Sequence, residues 1–305
     1  MIHATRTGAA RTLHQEEIVP LNLDIIGATF EPTERSWSAS DCLLYSLGVG
    51  AGSLDAGEEL EFTTENSTGV VQRVLPTFAA VIAAGGPPRS AIGTFDSAML
   101  LHGEQGIDLH GQIPPDGSVR ATSVVTGIYD KGSGALVVTE STAVDVATGR
   151  PCFTCTNGLF IRGEGGFGGP RGESPSQPFV PDRQPDHVVT YATRQDQALL
   201  YRLSGDRNPL HSDPVFARRA GFERPILHGL CTYGFTGRAL LHALCGSDPS
   251  RFRSMRGRFS RPTYPGDTLT VSMWVEGSTA RFRTENQRGE TVIDAGALEF
   301  SGGDA

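Results

Sequence analysis

The chain of 305 residues is long enough for one large domain or two of ordinary size, and two units are the expectation. Hydrophobic residues at 38% and charged residues at 20% exclude a disordered chain, while 38 glycines and 19 prolines announce many turns. A formal net charge of -8 lacks the basic footprint of a nucleic-acid binder, although a few local arginines or lysines would still suffice to hold the phosphates of a small ligand.

The first twenty residues, MIHATRTGAARTLHQEEIVP, lack the apolar run of a signal peptide, and no segment approaches the roughly 20 apolar residues of a membrane span. Residues 1–15 are expected as a flexible tail, and the C-terminal SGGDA carries no peroxisomal address, so a cytoplasmic location is expected. Five cysteines, Cys42, Cys152, Cys155, Cys231 and Cys245, form an odd, sparse set that suits a reducing compartment. Cys152 and Cys155 stand three apart in a strand-like run and so face opposite sides of it, and no second pair completes a zinc site.

Residues 38 to 49 place Leu43, Leu44 and Leu47 at helical spacing behind possible Ser or Asp caps. From Glu59 to Arg162 the expectation is β-rich: LEFTT, VLPTFAAVIA, SAMLLHGEQGIDLHG, VRATSVVTGIYD, ALVVTESTAVDV and PCFTCTNGLFIRG, with YDKGSGAL as a hairpin. Residues 163–188 read as a glycine-rich, then proline-rich linker. Its G-x-G-x-x-G at Gly163, Gly165 and Gly168 precedes prolines rather than the helix that a dinucleotide loop requires.

Beyond the linker, residues 195 to 203 and 212 to 220 read as short helices around the turn GDRNP. Residues 229 to 245 (GLCTYGFTGRALLHALC) form a helix apolar around most of its circumference, which must therefore be buried. Three β-like runs close the chain: MRGRFSRPTYPG, TLTVSMWVEG with ARFRTE, and TVIDAGALEF. The order implies an α+β fold in which each half, 16–162 and 189–305, wraps a sheet around a central helix, the two halves pairing as a dimer built from one chain.

The chemistry concentrates in S-G-D-R-N-P-L-H. Gly205 and Asn208-Pro209 force tight turning, which brings Asp206 and His211 toward one point. A carboxylate and an imidazole converging on one water supply what hydration needs, with Asn208 able to orient them. The alternative is that Asp206 caps a helix and His211 packs. Downstream, the amide of Gly229 at the start of the buried helix is an unpaired donor at a positive helix end, suited to the enolate oxygen of a thioester.

The pattern of an aromatic followed by L-S-G-D-x-N-P-L-H and a small residue six positions later is met by Tyr201, Leu203 to Asp206, Asn208 to His211 and Ala217. The chain thereby resembles the MaoC-like (R)-specific type 2 enoyl-CoA hydratases, including the hydratase unit of peroxisomal multifunctional enzymes. Similar segments occur at 45–50 (YSLGVG), 75–78 (LPTF), 101–105 (LHGEQ), 129–134 (YDKGSG), 165–169 and 225–234 (PILHGLCTYG), so that the resemblance spans roughly residues 16–300.

The resemblance implies a double hot-dog fold whose second half keeps the catalytic motif while the first becomes a cavity for the acyl tail. Asp206 and His211 would be the acid/base pair, Asn208 their support and Gly229 the oxyanion donor. Substrate contacts would fall at His102, Gly103, Lys131, Arg207, Pro209, Leu210 and Phe259, and Glu65 matches a family glutamate tied to activity. His102 and Phe259 read equally as core, and Lys131 as a solvated cation. The expected partners are an acyl-CoA substrate and a second copy of the chain as a homodimer, without nucleic acid or membrane; no cofactor or metal is expected. Rival readings are a non-catalytic acyl-CoA-binding subunit and a hot-dog thioesterase.

Overall fold

The computed structural model describes residues 21–83, 85–172 and 180–302; the expected tail at 1–15 lies outside them. The strands are β1 (Thr29–Trp37), β2 (Leu100–Leu109), β3 (Gly117–Asp130), β4 (Gly134–Asp145), β5 (Pro151–Arg162), β6 (His187–Ala192), β7 (Phe252–Phe259), β8 (Thr268–Glu276), β9 (Thr279–Asn286) and β10 (Thr291–Phe300). The helices are α1 (Ala39–Gly48), α2 (Leu60–Thr63), α3 (Ala79–Ile82), α4 (Arg89–Ile92), α5 (Gln197–Tyr201), α6 (Pro214–Arg219) and α7 (Gly229–Cys245).

The strands form one ten-stranded sheet in the order β1-β3-β4-β5-β2-β7-β10-β9-β8-β6. All of its neighbours are antiparallel, and five strands from each half meet at the β2–β7 seam, where Glu104 lies opposite Arg258 and Ile107 opposite Met255. The expected α+β architecture is present, with the two sheets fused into one.

Helix α7 behaves as its composition demands: thirteen of its seventeen residues are buried, and it packs on β6, β7, β8 and β10. The first half differs from the expected long central helix. Helix α1 begins with Ser38 and Asp41 capping one another reciprocally, but it packs against α2, α5 and the turn at 202–204 rather than lying along the sheet. The element on the first half's strands is the short α3, which touches β1, β2 and β5.

The runs expected as strands at LEFTT and VLPTFAAVIA are helical, forming α2, a 3-10 turn at Pro76–Phe78 and α3. Residues 74–79 are buried throughout, and Pro76 opens the turn. A short apolar run without alternation does not distinguish a buried strand from a buried helical turn. Strands β1 and β6 were not anticipated, and β6 begins inside the span expected as linker. Both are edge strands with mostly exposed side chains, and so lack an apolar stripe. β1 also tolerates Pro32, where its register with β3 shifts.

The glycine-rich loop after β5 wraps a carboxylate instead of a phosphate. The amides of Gly132, Gly166 and Gly168 donate to Asp130 at 2.8, 2.9 and 2.9 Å, which holds its carboxyl below the usual range.

Candidate active site

Helix α5 ends at Tyr201 and tightens into a 3-10 turn at Arg202–Ser204, which Gly205 terminates at φ 135°, a conformation open to glycine. The Asn208 side chain then accepts from the Leu210 amide at 3.1 Å and caps a second 3-10 turn, Pro209–His211, with proline at its first position. Asp213 caps α6, and Ala217 is buried with Ala98, Leu210, Ala220 and Ile226, which anchors the loop. The small residue at position 217 therefore serves packing.

This turning carries Asp206 and His211 to the N-terminus of α7. Asp206 is exposed, its Oδ1 accepting from the Asn208 amide at 3.0 Å. His211 is buried, and its Nδ1 lies 2.9 Å from the Ile226 carbonyl. A carbonyl only accepts, so Nδ1 carries the proton and Nε2 keeps a lone pair. Burial lowers the His211 pKa, which leaves the ring a neutral acceptor at physiological pH.

His228, read in sequence only as the lead into α7, proves to be part of the site. Its ring stacks on His211 with centroids 3.7 Å apart and planes 26° apart, and the motif's aromatic, Tyr201, packs against it at a tilt with centroids 4.9 Å apart. Its Nε2 donates to the Asp206 carbonyl at 3.2 Å, while the buried Nδ1 has no partner among the described residues. Burial, followed by the adjacent His211, brings its pKa down to about 3.

Asp206, His211 and His228 each offer one ligand atom within 4.8 Å of the others, a set of types that could hold a metal. Their geometry argues otherwise: lone pairs of near-parallel stacked rings do not converge on one ion at ~2.0–2.1 Å without rotating.

At the start of α7, His228 occupies the capping position without a side-chain cap, and the Gly229 N–H lies in the first turn, where no intrahelical acceptor exists. The residue must be small: a Cβ there would meet the Phe259 ring at 3.3 Å. Phe259 in turn sits edge-on to His102 at 5.0 Å. His102 donates from Nε2 to the Glu104 carbonyl at 3.0 Å, and its pKa falls to about 4 through burial.

Asp206, His211, Gly229, Phe259 and His102 border one cleft of about 460 Å³ at the junction of the two halves, whereas His228 and Tyr201 do not line it. Of the residues expected to act, Asp206, Asn208, Leu210, His211, Gly229, His102 and Phe259 line it. Arg207 and Pro209 are exposed on the same loop but do not line the cleft. Gly103 faces away, toward Leu136 and Phe160 on the opposite side of the sheet. Lys131 stands elsewhere, donating to the Arg171 carbonyl at 2.6 Å beside the Tyr129 ring. Glu65 is exposed after α2 and is not brought to the cleft.

Three arginines border the cleft: Arg261, the end of the Arg-rich run 251–261 that reads in sequence as a solvated face or a site for negative groups, and Arg89 and Arg162, which the sequence does not single out; Arg89 and Arg261 are exposed. Arg162 reaches from β5 to the Ala220 carbonyl at 2.5 Å and so ties the halves together. The five cysteines are free thiols. Burial pushes Cys42 and Cys245 up to about 12, which removes them as nucleophiles at neutral pH.

A motif-bearing cleft between two hot-dog halves defines a class, and comparison with known proteins supplies the family. Residues 36–163 match the MFE-2 hydratase 2 N-terminal domain and residues 177–296 the MaoC like domain. The chain belongs to the MaoC-like hydratase family. It is 47% identical over 287 residues to 3-hydroxyacyl-thioester dehydratase Y of Mycobacterium tuberculosis, covering 91% of this chain and 98% of that one. It is 44% identical over 266 residues to enoyl-CoA hydratase ChsH3 of the same organism, covering 85% and 91%. A crystal structure of a MaoC-like dehydratase from Phytophthora capsici superposes with a TM-score of 0.81 at 32% identity, covering 92% and 98%. Among the described residues, no helix is long and apolar enough to cross a membrane.

Proposed function

We propose that the protein catalyses the reversible hydration of trans-2-enoyl-CoA to (R)-3-hydroxyacyl-CoA. The observation that carries the reading is the meeting of three groups in one cleft: the Asp206 carboxylate, the acceptor Nε2 of a neutral His211, and Gly229, whose N–H lies in the first turn of α7, at its positive end, where no intrahelical acceptor exists. The names of the relatives, a hydratase and a thioester dehydratase, support the same chemistry.

In this mechanism Asp206 and His211 hold one water against Cβ of the enoyl group. As its oxygen bonds to Cβ, one of the two takes a proton, and the electrons of the double bond move onto the thioester oxygen. The Gly229 N–H meets that developing charge. The enolate collapses as a proton is delivered to Cα on the face that received the hydroxyl, and the pair returns to its starting charge. Dehydration runs the same steps backwards. Because Asp206, His211 and Gly229 handle every charge, the proposed reaction calls on no cofactor beyond the CoA of its substrate.

Binding divides between the halves. Arg89 and Arg261, exposed at the cleft's edge, suit the CoA phosphates, whereas Leu100, Leu101 and Leu159 of the first half present apolar surface to the acyl chain. The test is incubation with trans-2-decenoyl-CoA, following loss of enoyl absorbance, with chiral analysis of the product and a thiol reagent present. The (R)-3-hydroxyacyl-CoA is expected. An (S) product would overturn the assigned face, free CoA would show a thioesterase, and binding without turnover would show a carrier.

A further inference from the structure

The inner face of the first half's sheet holds a second, smaller cavity of about 120 Å³ that the proposed mechanism does not use. Leu159 borders both this cavity and the catalytic cleft. The strand registers order what lies between them. Leu159 is opposite His102 on β2 and Val137 on β4; two residues along, Asn157 is opposite Gln105 and Thr139. Two further on, Cys155 is opposite Ile107 and Ser141. Side chains two apart share a face and are spaced by roughly 6.6 Å, so the floor of the small cavity continues the floor of the cleft. Its roof comes from Ala80, Ala83 and the segment 85–87.

The lining is polar where an alkyl chain would call for an apolar one. Thr139 is only 5% exposed and its Oγ1 has no partner among the described residues. Ser141 pairs with Ser123 at 2.7 Å, both buried, and the Asn157 amide joins the same row. A saturated chain end filling this space would leave the Thr139 hydroxyl without a partner and offer the Asn157 amide none, which is unfavourable. A chain end bearing an oxygen would satisfy them.

We propose that this cavity is a specificity subsite that selects acyl chains carrying a hydroxyl or carbonyl group at the end remote from the thioester, with Thr139 and Asn157 as its hydrogen-bonding groups and Leu159 as the threshold. The inference rests on the hydratase reading above and adds the class of acyl group. Thr139 is a specificity residue here and has no part in the chemistry at Cβ.

The test is a series of paired trans-2-enoyl-CoAs, plain and ω-hydroxylated, from hexenoyl to dodecenoyl, assayed for kcat/KM on wild-type protein, Thr139→Val and Thr139→Ser. At the length that reaches the cavity, the hydroxylated member should be preferred by about tenfold, the effect of one buried hydrogen bond. Thr139→Val, which keeps the shape, should abolish that preference without lowering kcat/KM for the plain chain, and Thr139→Ser should retain it. No preference at any length, or a preference that survives Thr139→Val, overturns the subsite while hydration of plain chains stands. If no member of the series is hydrated, the activity itself is refuted.

Discussion

Arg238 of α7 is the largest fully buried side chain, and its only ionic partner among the described residues is Glu59, just ahead of α2, at 2.7 Å. The guanidinium also donates to the Val49 carbonyl at 2.8 Å and lies 3.9 Å from the Tyr191 ring centre. Burial opposes ionisation of Glu59, but His242, Arg238 and the Gly52 amide outweigh it and hold its carboxyl down at about 2. Glu59→Gln keeps the shape and strands the Arg238 charge, which should cost about 3–5 kcal/mol. At roughly 2 °C per kcal/mol for a chain of this size, the melting temperature should fall by about 6–10 °C. Arg238→Met combined with Glu59→Leu removes both charges and should recover most of that loss. Thermal unfolding followed by circular dichroism measures both. Neither side chain borders the cleft, so turnover well below the midpoint should barely change. A fall of under about 1 kcal/mol for Glu59→Gln, or a double variant worse than the single, would refute the assignment of the pair as a buried, mutually dependent tie between the halves.

Three further outcomes are expected. Gly229→Ala keeps the N–H donor but brings a methyl to 3.3 Å from the Phe259 ring; by displacing the thioester oxygen from that donor it should lower kcat/KM by about 10²-fold while the melting temperature holds, and unchanged kinetics would show that the thioester oxygen does not sit between Gly229 and Phe259. Protonating His211 removes its Nε2 lone pair, and its lowered pKa places the acid limb of kcat/KM below the ordinary histidine value of about 6.5, with activity flat above it; a limb centred at 7 or higher contradicts the buried, neutral ring. Stability should follow the same sign: His102 and His228, depressed to about 4 and about 3, bind protons only on unfolding as pH falls below about 6.5, so that each unit lower costs roughly 1.4 kcal/mol per group. A denaturation midpoint constant from pH 7 to 5 would count against these depressed values.

The motif loop 201–211 was legible because its turns are local. Gly205, Asn208 and Pro209 dictate the turns, and a helix apolar on all sides can only be the one at 229–245. What the sequence hid depends on long-range packing. His228 looks like a helix lead until the fold stacks it on His211 and beside Tyr201. Arg162 becomes part of the cleft because β5 ends beside Ala220. The edge strands β1 and β6 hide because their exposed side chains carry no apolar periodicity, and residues 76–82 mislead because burial on both sides erases the alternation that would separate helix from strand. Glu65 rested on the resemblance to a family glutamate, yet the fold leaves it exposed and it is Glu59 that is largely withdrawn from solvent, against Arg238.

The proposed hydration requires Asp206 and His211 to act together on one water. Hydration of trans-2-decenoyl-CoA by Asp206→Asn, His211→Ala and the double variant tests this directly, with folding checked by circular dichroism. Each single variant should lose about 10²- to 10⁴-fold in kcat, and the double should lose scarcely more than the worse single, because groups that work as a unit are not additive. Near-wild-type turnover in both singles, or losses that multiply in the double, would contradict the shared-water mechanism.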